Sequence, residues 1–355
     1  MANKRREFFS RALRKTFQFA RVKETESKQY KLSLRCPYIA HNSETHMSAT
    51  LDDDTDDVFS AKSIQERYNA LVGKVNNKDE NRNWNKQFPK KYRIDASSMT
   101  QDPEGVKMLD KVATEMIDKR KFLFGTKYRE KAVLFRGETF GWDHEDTQNQ
   151  AYRMLMEKNE LGIKLLAEGS SGKALELFES AEALSRKNSN VKLFTARRLK
   201  ARAVSFNNLG CYFKKVRKFS SALQSLLKAL SIEEKVPECG NPAGTHINIC
   251  VILSEMSRHS QALEHIKSAI VLLEYAEASN TGDEKETNLL TIAHFNHGVE
   301  LEYLHRDAKA LKQYKKAKKR ATTILGQDHP LSKSIIQSHS HLSERLKRAK
   351  QKQGK

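Results

Sequence analysis

Cysteine is scarce. The four residues Cys36, Cys211, Cys239 and Cys250 form no CxxC pair and no even secreted-type framework, so neither a structural zinc site nor a disulfide scaffold is expected, and a reducing compartment fits. Long apolar runs are also missing: the longest, such as Ile249 to Leu253, fall far short of the ~18 residues a membrane-spanning helix needs, and the N-terminus has no apolar signal core. A cytoplasmic protein, not secreted by the usual route, is expected. No GxSxG, Walker-type glycine loop, HExxH or Cys-His nucleophile arrangement occurs, so no enzyme and no cofactor is expected. Apolar residues make up 38% of the 355, and the 15 glycines bring the figure to about 42%, slightly below the roughly 45–50% of globular chains counted that way. Part of the chain is therefore expected not to pack.

What the sequence does have is positive charge. Lys plus Arg is 64 against 44 Asp plus Glu, a net +20, which calls for an acidic partner. The excess is not spread evenly. Residues 1–23 carry +7 and residues 306–355 carry +12, leaving +1 for everything between. The body is nearly neutral, and each basic end needs its own explanation.

At the first end Phe9, Leu13, Phe17 and Ala20 fall at helical spacing, with Arg6, Arg11, Arg14, Lys15 and Arg21 over much of the remaining surface. This is a basic amphipathic helix, suited to an acidic groove, a membrane surface, packing on the rest of the chain, or targeting of the mitochondrial type. Residues 24–57 are polar and end in five carboxylates between Asp52 and Asp57; without the glycine and terminal Glu of a calcium loop they read as a solvated linker. Val58 to Val75 reads as a helix. Beyond it Trp84, Phe88 and Tyr92 are interleaved with Lys86, Lys90, Lys91 and Arg93, a composition that anchors an extended arm on a partner protein or stacks on single-stranded bases. The periodicity of Val106, Leu109, Val112 and Met116 predicts one helix from Asp102 to Phe124.

From residue 146 the chain repeats. When Ala174, Ala222, Ala262 and Ala310 are aligned, a small residue stands twelve before each (Gly162, Gly210, Cys250, Gly298). A large one stands four after (Phe178, Leu226, Ile266, Tyr314), and another alanine seven after (Ala181, Ala229, Ala269, Ala317). Two antiparallel helices in close contact need this pattern, with small residues at the crossing and a large side chain filling the gap. Such a hairpin cannot bury its face alone, so hairpins are expected to stack. The pattern resembles the tetratricopeptide repeat, most completely in Asn159-Glu-Leu-Gly162 with Ala174, Phe178 and Ala181. The intervals of 48, 40 and 48 residues exceed the usual 34, and together with Leu325-Gly-Gln-Asp-His-Pro330 they look like the lengthened repeats of kinesin light chains. The resemblance implies an all-α fold, a TPR-type α-solenoid of helical hairpins. The expected order is a basic helix over 1–23, an irregular and helical extension over 24–145, about four repeats over 146–330, and a basic capping helix and tail over 331–355.

In such proteins the first helix of each hairpin lines a peptide-binding groove. The resemblance places Glu160, Asn208, Asn248 and Asn296 in equivalent groove positions, where a carboxamide offers both a donor and an acceptor to a peptide main chain; the same side chains could instead satisfy neighbouring backbone or water. Lys214, Lys215, Phe295 and Tyr303 join them as groove candidates, with Asn159, Asn207, Ile247, Val251 and Val299. The cations that clamp a terminal carboxylate in chaperone-binding relatives are absent, since Asn159, Ile163, Gly244 and Asn248 occupy the decisive positions. His294 and His297 share a helix face without a further ligand, so packing is expected and no metal. At the second basic end Lys312, Lys315, Lys316 and Lys319 recur at helical intervals, extended by Arg345, Lys347 and Arg348. They form a solvated face or a mooring for an acidic protein surface, with nucleic acid and a membrane as the further alternatives. The expectation is a non-catalytic scaffold that binds proteins or peptides in its groove and docks on an acidic cytoskeletal surface such as tubulin, in a microtubule or ciliary setting. The alternative is an RNA-associated protein that grips phosphate with its basic ends.

Overall fold

The computed structural model describes residues 86, 88, 90–93, 103–236, 240–279 and 284–353. The N-terminal amphipathic helix with Phe9, Leu13 and Phe17, the acidic run and Trp84 lie outside these residues. After a 3-10 turn at Lys90–Tyr92 come eleven α-helices: α1 (Pro103–Asp118), α2 (Phe122–Phe140), α3 (Glu145–Ala167), α4 (Ser171–Leu184), α5 (Thr195–Lys215), α6 (Phe219–Lys235), α7 (Pro242–Glu255), α8 (His259–Ala278), α9 (Glu284–Tyr303), α10 (Asp307–Ile324) and α11 (Pro330–Gln353). Among the described residues there is no strand. Two compact units divide the chain within α5. The described residues through Tyr212, with Lys235–Gly240, form the first, and Phe213–Glu234 with the described residues from Asn241 onward form the second.

Local chemistry starts several helices. Asn241 caps α7 by accepting the Gly244 N–H at 2.8 Å, with Pro242 in the first turn where its missing N–H is harmless. His144 caps α3 by accepting the Asp146 N–H at 3.3 Å, and Glu145 and Asp146 complement that end of the helix dipole.

The hairpins close as the small-residue pattern requires. In the first unit Gly162 on α3 lies flat against the Phe178 ring of α4, leaving no room for a Cβ. In the second, a Cβ added to Gly298 on α9 would sit 2.5 Å from the Tyr314 ring of α10. Ala174, Phe178, Ala181, Ala262, Ile266, Ala269, Ala310, Tyr314 and Ala317 are all completely buried, and Cys250 nearly so. In the second unit α7 packs on α8, α8 and α7 meet α9, α9 packs on α10, and α11 covers α10.

A hairpin not expected from the sequence precedes these. Instead of one helix from Asp102 to Phe124, the chain turns at Arg120 and α1 packs antiparallel to α2. Ala113 takes the small position, Gly125 the next at twelve residues on, and Ala132 the last. A Cβ on Gly125 would lie 2.9 Å from the Ala113 carbonyl oxygen. The repeat escapes notice because its large position holds Arg129, which ion-pairs with Asp110 at 3.3 Å and Glu157 of α3 at 3.2 Å. The packed helices thus begin well before residue 146.

All five hairpin turns share one backbone form. Seven residues after the small position stands a left-handed residue: Arg120, Gly169, Arg217, Ser257 or His305. The N–H that follows it reaches back five residues, as in Lys121 to Met116 (2.7 Å), Ser170 to Leu165 (2.9 Å), Lys218 to Phe213, Arg258 to Leu253 and Arg306 to Leu301 (each 2.8 Å). This is a Schellman closure, which satisfies the carbonyls left open at a helix end. Residues beyond the usual 34 go into longer helices, such as the 23 residues of α3 and 20 of α8, and into the α4–α5 connection. There the Gln148 side chain donates to the Lys192 carbonyl at 2.7 Å and accepts the Phe194 N–H at 2.8 Å.

Gly298→Val is expected to lower stability by about 1–3 kcal/mol through overpacking against Tyr314, more than the roughly 1 kcal/mol a helix gains on losing a glycine. Urea unfolding followed by circular dichroism measures the balance; a variant as stable as the parent would show that the crossing has slack.

Candidate functional site

The positions expected to line a groove are largely internal. In the first unit Asn159 of α3 and Asn208 of α5 are buried and bonded to each other, the Asn208 amide donating to Asn159 Oδ1 at 2.9 Å. Asn159 in turn donates to the Leu155 carbonyl and to Ser205 Oγ at 2.9 and 3.0 Å. Asn208 Oδ1 accepts nothing. Glu160, next to this network, is exposed, and Asn207 is buried. The asparagines of the first unit therefore tie α3 to α5, and one amide oxygen remains uncommitted.

In the second unit Asn248 is buried on α7 and Asn296 on α9. Asn296 is 1% exposed, and neither its Nδ2 nor its Oδ1 has a hydrogen-bond partner among the described residues. Around it Ile247, Val251 and Val299 are buried. Phe295, expected on the groove, is completely buried with its ring 5.7 Å from that of Tyr314; it fills the α9–α10 hairpin and presents no open surface. Tyr303 is half-buried, stacked at 4.0 Å on His259, whose Nδ1 is 2.9 Å from Oε2 of the fully buried Glu300. Burial pushes the Glu300 carboxyl up, and the His259 imidazole offsets part of that rise. Lys214 is half-buried and Lys215 exposed in the last turn of α5, where cations complement the helix dipole.

The histidine pair of α9 is internal, as its spacing suggests. His294 is buried against Gln313 Oε1 at 3.0 Å, and His297 is half-buried. Burial lowers both imidazoles, His297 to about 4, so both are neutral near pH 7. No cluster of three or more His, Cys, Asp or Glu able to hold a metal ion occurs among the described residues, and no helix there is long and apolar enough to cross a membrane.

The expected basic surface divides into two classes. Lys312, Lys315, Lys316 and Lys319 are exposed along α10, and Lys347 and Arg348 are exposed on α11. Arg345 does not belong with them. It is clamped between Glu302 at 2.7 Å and Asp307 at 2.9 Å, while Glu302 also accepts the buried Tyr314 hydroxyl at 3.0 Å. Glu302 and Arg345 lie 43 positions apart, so no local pattern pairs them. Arg345 holds the terminal helix to the last hairpin.

Phe88 likewise departs from the role of partner anchor or base-stacking platform. It is buried in its own chain, stacked on Tyr128 at 4.7 Å and tilted against Phe124 at 5.6 Å. Arg93 holds that segment by donating to the Phe88 carbonyl at 2.8 Å. Tyr92 falls in the adjoining 3-10 turn.

One buried acid had no sequence signal. Glu233 near the end of α6 is 1% exposed and joins no ion pair among the described residues. Burial pushes its carboxyl up to about 7. Because this pKa is raised in the folded state, Glu233 costs nothing below the ordinary carboxylate range, and its cost grows as pH climbs from there to about 7 and is constant above it. Glu233→Gln is accordingly expected to leave stability unchanged near about pH 4 and to raise it near about pH 8, by up to roughly 3 kcal/mol at 1.36 kcal/mol per unit. Urea melts at both pH values decide it; an equal gain at both would assign the effect to packing.

Arg345→Ala leaves the Glu302 carboxylate buried beside a tyrosine hydroxyl alone. A loss of about 2–4 kcal/mol is expected, somewhat below the range for a fully buried pair because the arginine is partly exposed. Hydrogen exchange should quicken along α11 before anywhere in α7 or α8; unchanged protection of α11 would show that apolar packing alone holds it.

No known protein-family model and no curated protein matches the sequence. Among solved structures the chain is similar to BtubC (BKLC) from P. vanneervenii, at 16% identity and a TM-score of 0.45 over 75% of this chain and 92% of that one. It is also similar to YrrB, a TPR protein with an unusual peptide-binding site, at 14% and 0.38 over 68% and 96%. A Rap protein complexed with Competence and Sporulation Factor matches at 14% and 0.41 over 69% and 68%. The solved structures it is similar to are TPR-like and kinesin-light-chain-like repeat proteins.

Proposed function

We propose that the chain is a non-catalytic protein-interaction scaffold, whose inner helices receive a peptide or protein segment and whose basic ends dock it on a larger acidic assembly of the microtubule or ciliary kind. The observation that carries the reading is Asn296. A buried amide with both polar atoms unpartnered costs about 1–3 kcal/mol, and a chain optimised for stability alone would place an apolar residue there. A carboxamide at this position is matched to a peptide main chain, which presents one donor and one acceptor per residue. Asn248 stands at the equivalent place on α7. Burial of these groups means that a segment must part α7 and α9 from their covering contacts to reach them, so binding is coupled to local opening.

The nucleic-acid reading loses Phe88 from its stacking set, since that ring is buried. The scaffold is tested by cross-linking the full chain in its native setting and measuring affinity for the captured partner. Asn296→Ala is expected to weaken that affinity about tenfold, the size of one well-made hydrogen bond to a peptide group, while thermal stability holds or rises. Unaltered affinity removes the asparagines from the binding surface. Co-sedimentation with microtubules at low salt tests the docking half separately; a chain left wholly in the supernatant is not a microtubule-docking protein.

A further inference from the structure

The basic face of α10 supports a sharper statement about its partner, one that rests on the scaffold reading above. The helix carries seven Lys or Arg and a single acid, Asp307. That acid is taken by Arg345. The carboxylates nearest the helix are also committed: Glu277 to Arg320 through two bonds of 2.8 and 3.1 Å, Glu274 to Lys316 at 3.6 Å, and Glu302 to Arg345. The single acid of α11, Glu344, faces Arg348 at 3.8 Å. Lys309, Lys312, Lys315, Lys318 and Lys319 find no carboxylate among the described residues. Their repulsion is felt across the helix pair: besides burial, Lys318 and Lys315 lower the imidazole of His339 on α11. Like charges three and four apart on one helix are unfavourable in isolation, and here they keep no internal counter-ion.

We infer that this face binds an extended acidic polypeptide segment through Lys309, Lys312, Lys315 and Lys319. Several features favour carboxylates on a flexible chain over nucleic acid. Arg320 and Arg345 are both held in ion pairs, and the row itself is ammonium, a point charge without bidentate geometry. Neither α10 nor α11 offers an exposed Phe, Tyr or Trp to stack on a base, since Tyr314, the one such residue in these two helices, is completely buried. The row from Lys309 to Lys319 is about 15 Å long, which matches about five residues of extended chain at ~3.3 Å each and is short for the six or more phosphate contacts that make duplex binding firm.

The test uses the full chain and two fluorescent probes of similar charge, a ten-residue oligoglutamate and a ten-nucleotide oligothymidylate, titrated at low salt. Oligoglutamate is expected to bind the more tightly. The triple variant Lys312→Glu, Lys315→Glu, Lys319→Glu should weaken it at least about tenfold, as three modest ion pairs imply. The milder Lys312→Gln, Lys315→Gln, Lys319→Gln variant, which adds no repulsion and alters only exposed side chains, should weaken it about fivefold. A control with equal charge change on α1 and the turn that follows it, Lys107→Glu, Lys111→Glu, Lys119→Glu, should change affinity less than twofold. Equal weakening by the α10 and α1 variants would reduce the face to bulk charge, and tighter binding of oligothymidylate would make it a phosphate site; either overturns the inference. Neither outcome touches the peptide-binding half of the scaffold reading, which is tested through Asn296 on a different helix.

Discussion

The whole arrangement depends on how closely two helices can approach. Where Gly162 meets the Phe178 ring and Gly298 meets the Tyr314 ring, contact is made between backbone on one helix and an aromatic face on the other, a geometry closed to any larger residue. That approach fixes the crossing, and the crossing fixes which neighbours are buried. Around it the alanines seven residues apart are stripped of solvent, and the chain must reverse in the few residues that the turn allows. Stability at these crossings comes from dispersion and the exclusion of water, and together with the apolar core shared by α6 to α11 polar groups decide how one hairpin attaches to the next.

Those attachments are made with buried polar and charged side chains. Lys158 of α3 reaches Glu130 of α2 and the Ser180 hydroxyl of α4, each at 2.9 Å; Asn159 joins Asn208; His259 joins Glu300; and Arg345 joins Glu302 to Asp307. Each links helices distant in sequence, and each is costly when half made. A consequence is that charge in this protein has two uses which composition cannot separate. Among the described residues several arginines, such as Arg129, Arg136, Arg320 and Arg345, are consumed in internal pairs, while the lysines of α10 stay largely in solvent. The formal net charge therefore overstates what the molecule presents in some places and understates its concentration in others.

Much of the helical framework was legible in the sequence, because the glycine, alanine and aromatic offsets are direct imprints of helix crossing. The hairpin α1–α2 was not. Its crossing obeys the same offsets through Ala113, Gly125 and Ala132, but Arg129 in the large slot hides the pattern behind a charge that Asp110 and Glu157 neutralise only in three dimensions. Phe295 was assigned to a groove by register alone, whereas its burial against Tyr314 depends on how α9 is rotated, which periodicity does not determine. Arg345 belonged to a run of bases and shared their expected fate; its acids lie far away along the chain. Local patterns disclose which faces pack, and long-range polar pairing has no local pattern to disclose it.

The five left-handed turns bear on how much further this chain could go. Only one, at Gly169, uses the residue that enters this region freely; Arg120, Arg217, Ser257 and His305 are held there at φ near 60° by the closure bonds around them. Each such residue carries about 1 kcal/mol or more of backbone strain. The molecule thus keeps a reserve of several kcal/mol at solvent-facing corners. Because those corners are remote from the helix crossings, homologous chains could gain or lose heat tolerance there by drift alone, with the packing code left intact.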